Sequence, residues 1–449
     1  MNFSIFNQPS DIYGKASFMR GLELWNFLSR KNDGLVMDGK RRISQRSSFQ
    51  NCAVVAPPGV GKTTRFIVPN VLTINGPSMV ITDPSGEIHS LCQKHLKSIG
   101  YDVHVLSVDQ PKLFDQYNPL INCTKPEDYD VLAQIIVQSQ VGGSGDPYWT
   151  ESAQSIVGLC LQCADKFQVK PMRTLYQAYE LIQLLLIDPQ QVDSLMQLHL
   201  SPRYYADFKA FMNEPEKTRG SVLATAKTSM YKLRNQNVID LTSSNTLDFH
   251  GLRTGKTAVF IIVPEHKIGY YSFLLVMFFT QLFEVCAIMP TPGKDRPIFF
   301  LLDEFGNMGH IPDFDKLINT LRKRRCSLSL VLQDYQQVTA LYGQDAASII
   351  LLSGCASHII YPGCAPHICS SISDALGQRT VINRRQDPAN WELISQSRYF
   401  DEIGRPLMTS DEIRMMKKDR ALLIHSNRKP VLMRTTPWFE NNQLKKRTR

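Results

Sequence analysis

Short, largely apolar runs recur along this chain of 449 residues, and polar or turn-forming residues follow each of them. An apolar run of about four to eight residues between such boundaries is typical of a strand buried on both faces of a sheet. The clearest runs lie at residues 52–56, 78–82, 103–108, 258–263, 298–302, 327–332 and 356–361. Helical segments separate most of these runs. Strands that alternate with helices predict an α/β fold with a parallel, doubly wound sheet.

From about residue 119 to residue 245 the apolar residues follow a helical spacing instead, as at Val131, Leu132, Ile135 and Ile136. Strand-like runs are scarce there, so we predict an inserted all-α domain, and its glycine-rich residues 142–145 suggest a mobile hinge. The predicted organisation has three further parts: residues 1–118 and 246–440, which form the two parts of one α/β domain, and residues 441–449, a basic disordered tail.

The composition is that of an ordinary globular protein, because apolar residues make up 43% of the chain and charged residues 20%. The formal net charge of +9 suits a polyanionic partner without requiring one. The ten cysteines are scattered through apolar runs, as is usual for reduced core cysteines in a cytosolic protein.

The best candidate for a membrane span, residues 271–289, is interrupted by Gln281 and Glu284. Its uninterrupted apolar part is too short to cross a bilayer, so we predict a core helix. Residues 1–30 contain no apolar segment of the kind that secretory signals carry. We therefore expect a cytoplasmic protein.

The first apolar run leads into a proline- and glycine-rich loop and then into a helical segment. This stretch matches the phosphate-loop (Walker A) pattern G-x-x-x-x-G-K-[ST], with Ala56 in place of the first glycine. Backbone N–H groups of such a loop bind phosphate, a lysine reaches the β- and γ-phosphates, and a hydroxyl binds Mg²⁺. We expect Lys62 and Thr63 to take the last two roles. The residues predicted to bind the nucleotide are Pro58, Gly59, Val60, Gly61, Lys62, Thr63 and Thr64.

The apolar run at residues 298–302 ends in two acids, Asp303 and Glu304, a Walker B pattern. We expect Asp303 to order the Mg²⁺ shell together with Thr63, and Glu304 to act as general base toward the attacking water. Asp83 and Gln333 also follow apolar runs. The carboxyl ends of parallel strands form the ligand crevice of an open α/β sheet, so these side chains are expected there.

These motifs resemble those of the coupling proteins of type IV secretion and conjugation, TraG-type RecA-like ring ATPases related to septal DNA translocases. The matching segments are residues 56–63, 68–72, 81–87, 301–312, 331–337, 341–343 and 405–414. Together they span roughly residues 50–425, and the segment that begins at Asp303 is the most specific.

The resemblance implies a homo-hexameric ring that hydrolyses ATP with Mg²⁺ and moves DNA of any sequence through a central channel. It implies that the all-α domain meets relaxosome or secreted substrate proteins. It also implies that Gln333 senses the γ-phosphate and that Arg322 reaches the nucleotide site of a neighbouring subunit.

Most members of this family carry N-terminal transmembrane helices, and we predict none in this sequence. We therefore expect a peripheral association with the inner membrane, in which a partner connects the chain to the type IV secretion components. Two other functions stay open: a soluble, helicase-like DNA-processing ATPase, and an adaptor that uses ATP to switch between docked and released states.

Overall fold

The computed structural model describes residues 11–141, 147–167, 173–384 and 400–449. The predicted hinge at residues 142–145 lies outside these ranges. The described strands, in chain order, are β1 (Cys52–Val55), β2 (Ser78–Thr82), β3 (Asp102–Ser107), β4 (Thr257–Ile262), β5 (Ile298–Leu302), β6 (Cys326–Leu332), β7 (Ser357–Ile360), β8 (Gln378–Arg384), β9 (Phe400–Pro406), β10 (Arg420–His425) and β11 (Val431–Arg434).

Helices connect most of these strands, and several are short. They are α1 (Gly21–Phe27), α2 (Gln45–Ser48), α3 (Val68–Val71), α4 (Glu87–Ser98), α5 (Pro126–Val141), α6 (Pro147–Asp165), α7 (Leu175–Ile187), α8 (Pro189–His199), α9 (Pro202–Met212), α10 (Glu216–Ser229), α11 (Gln236–Leu241), α12 (Gly251–Thr254), α13 (Ile268–Ala287), α14 (Phe314–Lys323), α15 (Tyr335–Tyr342), α16 (Gln344–Ser348), α17 (Pro366–Leu376), α18 (Ser410–Arg414) and α19 (Asn442–Arg447).

The chain packs into two compact units. The first contains residues 1–74 and 329–446, and the second contains residues 75–328 and 447–449. In the first unit the strands follow the order β11-β10-β7-β1-β6. Strand β1 is parallel to both β6 and β7, whereas β10 is antiparallel to β7 and β11. Strands β8 and β9 form a separate antiparallel pair.

The second unit contains a parallel sheet in the order β5-β2-β4-β3. Every residue of β2 and β5 is buried, which explains their largely apolar sequences. Parallel pairing places the carboxyl ends of all four strands at one edge of this sheet. Asp83 and Asp303 therefore follow neighbouring strands at the same edge.

The second unit also contains the helical stretch, in which every described secondary-structure element between Pro119 and Leu241 is a helix. Its base is fixed to α13 by a buried polar network. The Tyr117 hydroxyl and Oε1 of Gln281 are 2.5 Å apart, and Nε2 of Gln281 donates to the Pro119 carbonyl oxygen at 3.0 Å. These bonds satisfy the side-chain amide of Gln281, one of the two residues that interrupt the apolar stretch.

Among the described residues, one helix is long and apolar enough to pass a length and hydropathy test for a membrane span. This helix contains α13, and 72% of its apolar window is buried inside the protein. A core helix should be buried and should have its polar side chains hydrogen-bonded, and both are seen here, at Gln281 for the second.

The prediction of a disordered tail at residues 441–449 is wrong, because α19 occupies most of this stretch. Leu444 is buried, with 3% of its surface exposed. The Asn441 side chain accepts a hydrogen bond from the Gln443 backbone at 3.1 Å and donates to the Gly39 carbonyl oxygen at 3.2 Å. One buried leucine and a cap order a short basic helix whose other side chains are mostly exposed.

Candidate functional site

The glycine-rich loop follows β1, which lies between β6 and β7 in the first unit. The Ala56 backbone N–H donates to the Leu332 carbonyl oxygen at 3.0 Å, so the sheet pairing continues past β1. The Ala56 side chain is fully buried. Its methyl group is therefore part of the core, which explains how alanine can stand where the phosphate-loop pattern has its first glycine.

The loop turns at two glycines with left-handed backbone, Gly59 (φ 77°) and Gly61 (φ 90°). A Cβ atom on Gly61 would lie 2.8 Å from Oγ1 of Thr64, whereas nothing lies within 4 Å of a Cβ on Gly59. At position 61 both the left-handed backbone and the lack of room for a Cβ atom favour glycine. At position 59 only the left-handed backbone does.

A helical segment begins at Lys62 (φ −50°, ψ −48°) and runs through a π-helical turn, Thr63–Ile67, into α3. The Gly61 carbonyl oxygen accepts bonds from the Arg65 backbone at 2.8 Å and from Oγ1 of Thr64 at 3.1 Å. A helix that opens directly after such a loop directs its N-terminal dipole toward an anion. This geometry is that of a phosphate loop.

Arg65 anchors the loop helix to the segment that follows β11. Its Nη1 donates to the carbonyl oxygen of Thr435 at 3.0 Å and to Oγ1 of the same residue at 3.3 Å. This contact could not be predicted from a local sequence pattern, because the two residues lie 370 positions apart.

The two acids after β5 are both buried, with 4% of Asp303 and 5% of Glu304 exposed. Oγ1 of Thr82, on the neighbouring strand, donates to the Asp303 carbonyl oxygen at 2.8 Å. The Glu304 backbone N–H donates to Oδ1 of Asp303 at 3.1 Å. These bonds fix the turn that follows β5.

Glu304 adopts a left-handed backbone conformation (φ 55°, ψ 38°), which is unusual for a residue other than glycine. Nδ2 of Asn307 donates to Oε2 of Glu304 at 3.3 Å. Strained backbone and a fixed carboxylate are frequent at functional positions. Sequence reasoning missed Asn307, although it lies within the specific segment that begins at Asp303.

Asp83 has a structural role at the start of α4. Its Oδ2 accepts a bond from the His89 backbone at 2.8 Å, and the residue is fully buried. Burial raises the pKa of this carboxyl group, and hydrogen bonds from backbone N–H groups oppose the increase. The expectation that Asp83 lies at the sheet edge holds, but its carboxylate caps a helix.

Gln333 directly follows β6 and is half-buried. Its backbone N–H donates to Oε1 of Gln337 at 3.0 Å, and this bond fixes the turn into α15.

Arg322 lies near the end of α14 and is exposed. The two following arginines differ from it, because Nε of Arg324 donates to the Ala287 carbonyl oxygen at 2.8 Å and Nη1 of Arg325 to that of Asp295 at 3.1 Å. Of these three arginines, Arg322 is the exposed one, whereas Arg324 and Arg325 are half-buried.

The second Gly-Lys-Thr sequence, at Gly255-Lys256-Thr257, has a different local structure. Thr257 begins β4, so this lysine enters a strand and not a helix. The Lys256 ammonium bonds to the Ile99 carbonyl oxygen and lies over the Tyr101 ring, 4.6 Å from its centroid. Lys256 therefore has a packing role within the second unit.

A strand that opens through a glycine loop into a helix, within a mostly parallel sheet, defines a P-loop α/β protein. The chain belongs to the family described as Type IV secretory system Conjugative DNA transfer, whose model matches residues 10–449. The predicted family is therefore confirmed.

Curated relatives agree with this assignment. The chain is 22% identical over 405 residues to "Protein VirD4" of Rhizobium radiobacter, and the match covers 88% of this chain and 57% of the relative. It is 24% identical over 407 residues to "Probable conjugal transfer protein TraG" of Sinorhizobium fredii, and this match covers 87% of this chain and 62% of the relative. The chain thus spans about three fifths of the length of these relatives.

Solved structures show the same fold. "Plasmid coupling protein TrwB in complex with ADP and Mg2+" matches with a TM-score of 0.69 and 16% identity, covering 94% of each chain. TrwB in complex with the ATP analogue ADPNP matches with a TM-score of 0.70 and 16% identity, covering 95% of this chain and 96% of that one. The predicted RecA-like P-loop α/β fold is therefore confirmed.

Proposed function

We propose that this chain is a Mg²⁺-dependent ATPase that drives DNA transfer as a coupling protein of a type IV secretion or conjugation machine. The observation that carries the proposal is the phosphate-loop geometry from Ala56 to Thr64, in a chain of the conjugative DNA transfer family. The TrwB structures with ADP, Mg²⁺ and ADPNP support the choice of cofactors.

In the nucleotide step, Lys62 offsets the charge of the β- and γ-phosphates, and the loop N–H groups from Pro58 to Thr64 bind phosphate oxygens. The Thr63 hydroxyl and the Asp303 carboxylate are oxygen donors of the kind that Mg²⁺ prefers. Two adjacent buried carboxylates also concentrate negative charge, which a divalent cation would offset. We assign Thr63 and Asp303 to the metal.

Glu304 is the proposed general base, because a carboxylate can accept the proton of the water that attacks the γ-phosphate. The bond from Asn307 limits the rotation of this carboxylate and makes Asn307 a positioning residue. Gln333 is proposed to sense the γ-phosphate from the start of the turn after β6.

Arg322 is proposed to act in a homo-hexameric ring, where it would reach the nucleotide of a neighbouring subunit. An arginine supplied in trans stabilises charge in the transition state and is worth about 10³–10⁵ in rate in well-studied nucleotidases. Its exposure near the end of α14 supports this role. When mixed, two inactive variants, Arg322→Ala and Glu304→Gln, should partly rescue each other; absence of rescue would contradict the assignment.

The proposed partners are DNA, bound without sequence preference through its phosphates, and relaxosome or secreted substrate proteins, bound by the helical domain at residues 119–245. A partner would link the chain to the membrane components at the inner membrane. The net charge of +9 favours a polyanion.

The decisive experiment measures ATP hydrolysis by the purified chain alone, with single-stranded DNA and with double-stranded DNA. We expect turnover to rise with DNA and the stimulation to fall steeply with salt. Turnover that is indifferent to both DNA forms would contradict a DNA motor and favour the ATP-switched adaptor.

A further inference from the structure

The turn that carries Gln333 continues into α15 through a capping box. The Asp334 side chain accepts a bond from the Gln336 backbone at 2.8 Å. Oε1 of Gln337 accepts bonds from the backbone N–H groups of Gln333 at 3.0 Å and Asp334 at 3.2 Å. These bonds make the turn and the first turn of α15 one local unit. The position of Gln333 therefore depends on what holds the start of α15.

The start of α15 is bonded to β7. The Tyr335 hydroxyl lies 2.8 Å from Nδ1 of His358, a residue of β7. Nε2 of the same ring lies 3.1 Å from the Cys355 carbonyl oxygen. Because a carbonyl oxygen can only accept, Nε2 carries the proton, and Nδ1 accepts the bond from the Tyr335 hydroxyl. Burial lowers the pKa of His358, which favours this neutral form.

A second bond joins the start of α15 to the helix that follows β7. Nε2 of His367, in the first turn of α17, donates to Oδ1 of Asp334 at 3.0 Å. Strand β1 lies between β6 and β7, so both bonds connect structure on opposite sides of β1, where β6 and β7 are about 10 Å apart. We call the residues that make these two bonds the β6–β7 link: Asp334, Tyr335, His358 and His367.

The segment between β7 and α17 lies against the beginning of the phosphate loop. The Tyr361 backbone N–H donates to the Val55 carbonyl oxygen at 3.0 Å. A Cβ atom on Gly363 would lie 3.7 Å from Cγ of Pro57. All of these residues belong to the first unit. The β6–β7 link therefore connects the turn that carries Gln333 to the segment that supports the phosphate loop.

We propose that the β6–β7 link positions Gln333 relative to the phosphate loop and thereby sets how strongly the site prefers ATP over ADP. The proposal rests on the role proposed above for Gln333 as the sensor of the γ-phosphate. A hydrogen bond weakens steeply when its distance or angle departs from the ideal. A loosely held turn would therefore weaken the contact with the γ-phosphate and leave the binding of the other phosphates by the loop unchanged.

The experiment measures the affinity of the full chain for ADPNP and for ADP, each with Mg²⁺, by calorimetry. Tyr335→Phe removes one hydroxyl and keeps the ring that packs against the core beside β7. We expect its affinity for ADPNP to fall about three- to tenfold and its affinity for ADP to stay at the parental value.

The second bond of the link has its own pair of variants. The His367 and Asp334 side chains are 45% and 26% exposed, so His367→Ala should cause a smaller loss of ADPNP affinity in the same direction. His367→Gln should restore most of that loss, because a side-chain amide can still donate to Asp334. This rescue would show that the bond itself is what matters at this position.

Tyr361→Phe is the matched control, because the hydroxyl of this buried tyrosine has no hydrogen-bond partner among the described residues. It should match the parent with both nucleotides. Gln333→Ala should lose the preference for ADPNP; if it keeps that preference, the sensor role is wrong and this proposal falls with it. If Gln333→Ala loses the preference while Tyr335→Phe and His367→Ala keep it, the sensor role stands and the β6–β7 link is overturned. Equal losses of ADPNP and ADP affinity in Tyr335→Phe would also overturn the link.

Discussion

The side-chain amide of Asn307 donates to Oε2 of Glu304 across 3.3 Å, within the turn that follows β5. Both residues belong to one short segment, and Glu304 holds a left-handed backbone conformation there. The amide therefore orients the carboxylate that we assign as the general base.

Asn307→Ala should lower kcat of ATP hydrolysis by about ten- to a hundredfold, because a misplaced catalytic group loses rate steeply. KM should change little, since Asn307 has no assigned role in binding the nucleotide. Steady-state kinetics measure kcat and KM separately. Asn213→Ala, at an exposed position after α9, is the control and should match the parent. An Asn307→Ala enzyme with an unchanged kcat would remove the positioning role.

The two loop glycines should differ in their tolerance of alanine. Gly59→Ala incurs only the cost of a left-handed backbone, about 1–2 kcal/mol. Gly61→Ala adds a contact of 2.8 Å with Thr64 Oγ1. We therefore expect nucleotide affinity to fall more for Gly61→Ala than for Gly59→Ala, as measured by calorimetry. Equal affinities in the two variants would show that the crowding at Gly61 does not shape the loop.

The strand, the glycine loop and the helical segment around Lys62 could be predicted from the sequence because the three are consecutive in one short stretch. The acids after β5 could be predicted for the same reason. The contact between Arg65 and Thr435 joins residues that lie far apart in the chain and leaves no local sequence pattern. The prediction of a disordered tail was wrong for the same reason. Leu444 orders α19 by packing against residues far away in the chain, which the local sequence does not show.

We expect His104 to make the stability of the second unit sensitive to pH. Its two ring nitrogens lie 3.1 Å from carboxylate oxygens of Asp115 and Asp102. The hydrogen bond to Asp115 raises the pKa of this histidine, and burial partly opposes the increase. The stabilisation is therefore complete below the unfolded pKa of about 6.5 and is lost as pH rises through the higher folded pKa.

Denaturant midpoints of the parent and of His104→Gln measure this effect. The parent should lose more stability than the variant between about pH 6 and pH 9, since only the parent can release this proton. The other histidines are common to both proteins and cancel in the difference. Identical pH profiles for the two proteins would contradict the assignment.

Replacing residues 119–245 with a short linker should spare nucleotide binding, because the phosphate loop belongs to the other compact unit. The ends of this stretch are close, since the Thr246 backbone N–H donates to the Gln116 carbonyl oxygen at 3.0 Å. A few residues can therefore close the gap. Nucleotide binding by a folded deletion protein tests the claim, with Lys62→Ala in the same background as the control. Loss of binding in the deletion alone would mean that the helical stretch contributes to the site.

The central claim is that the loop at Lys62 binds and turns over ATP, and the chain contains a matched control in its second Gly-Lys-Thr sequence. The most direct test compares ATP hydrolysis and ATP binding by the parent, Lys62→Ala and Lys256→Ala. Lys62→Ala should lose hydrolysis and bind ATP weakly, because the cation that opposes the phosphate charge is gone. Lys256→Ala should hydrolyse ATP at the parental rate. Parental hydrolysis by Lys62→Ala would contradict the account.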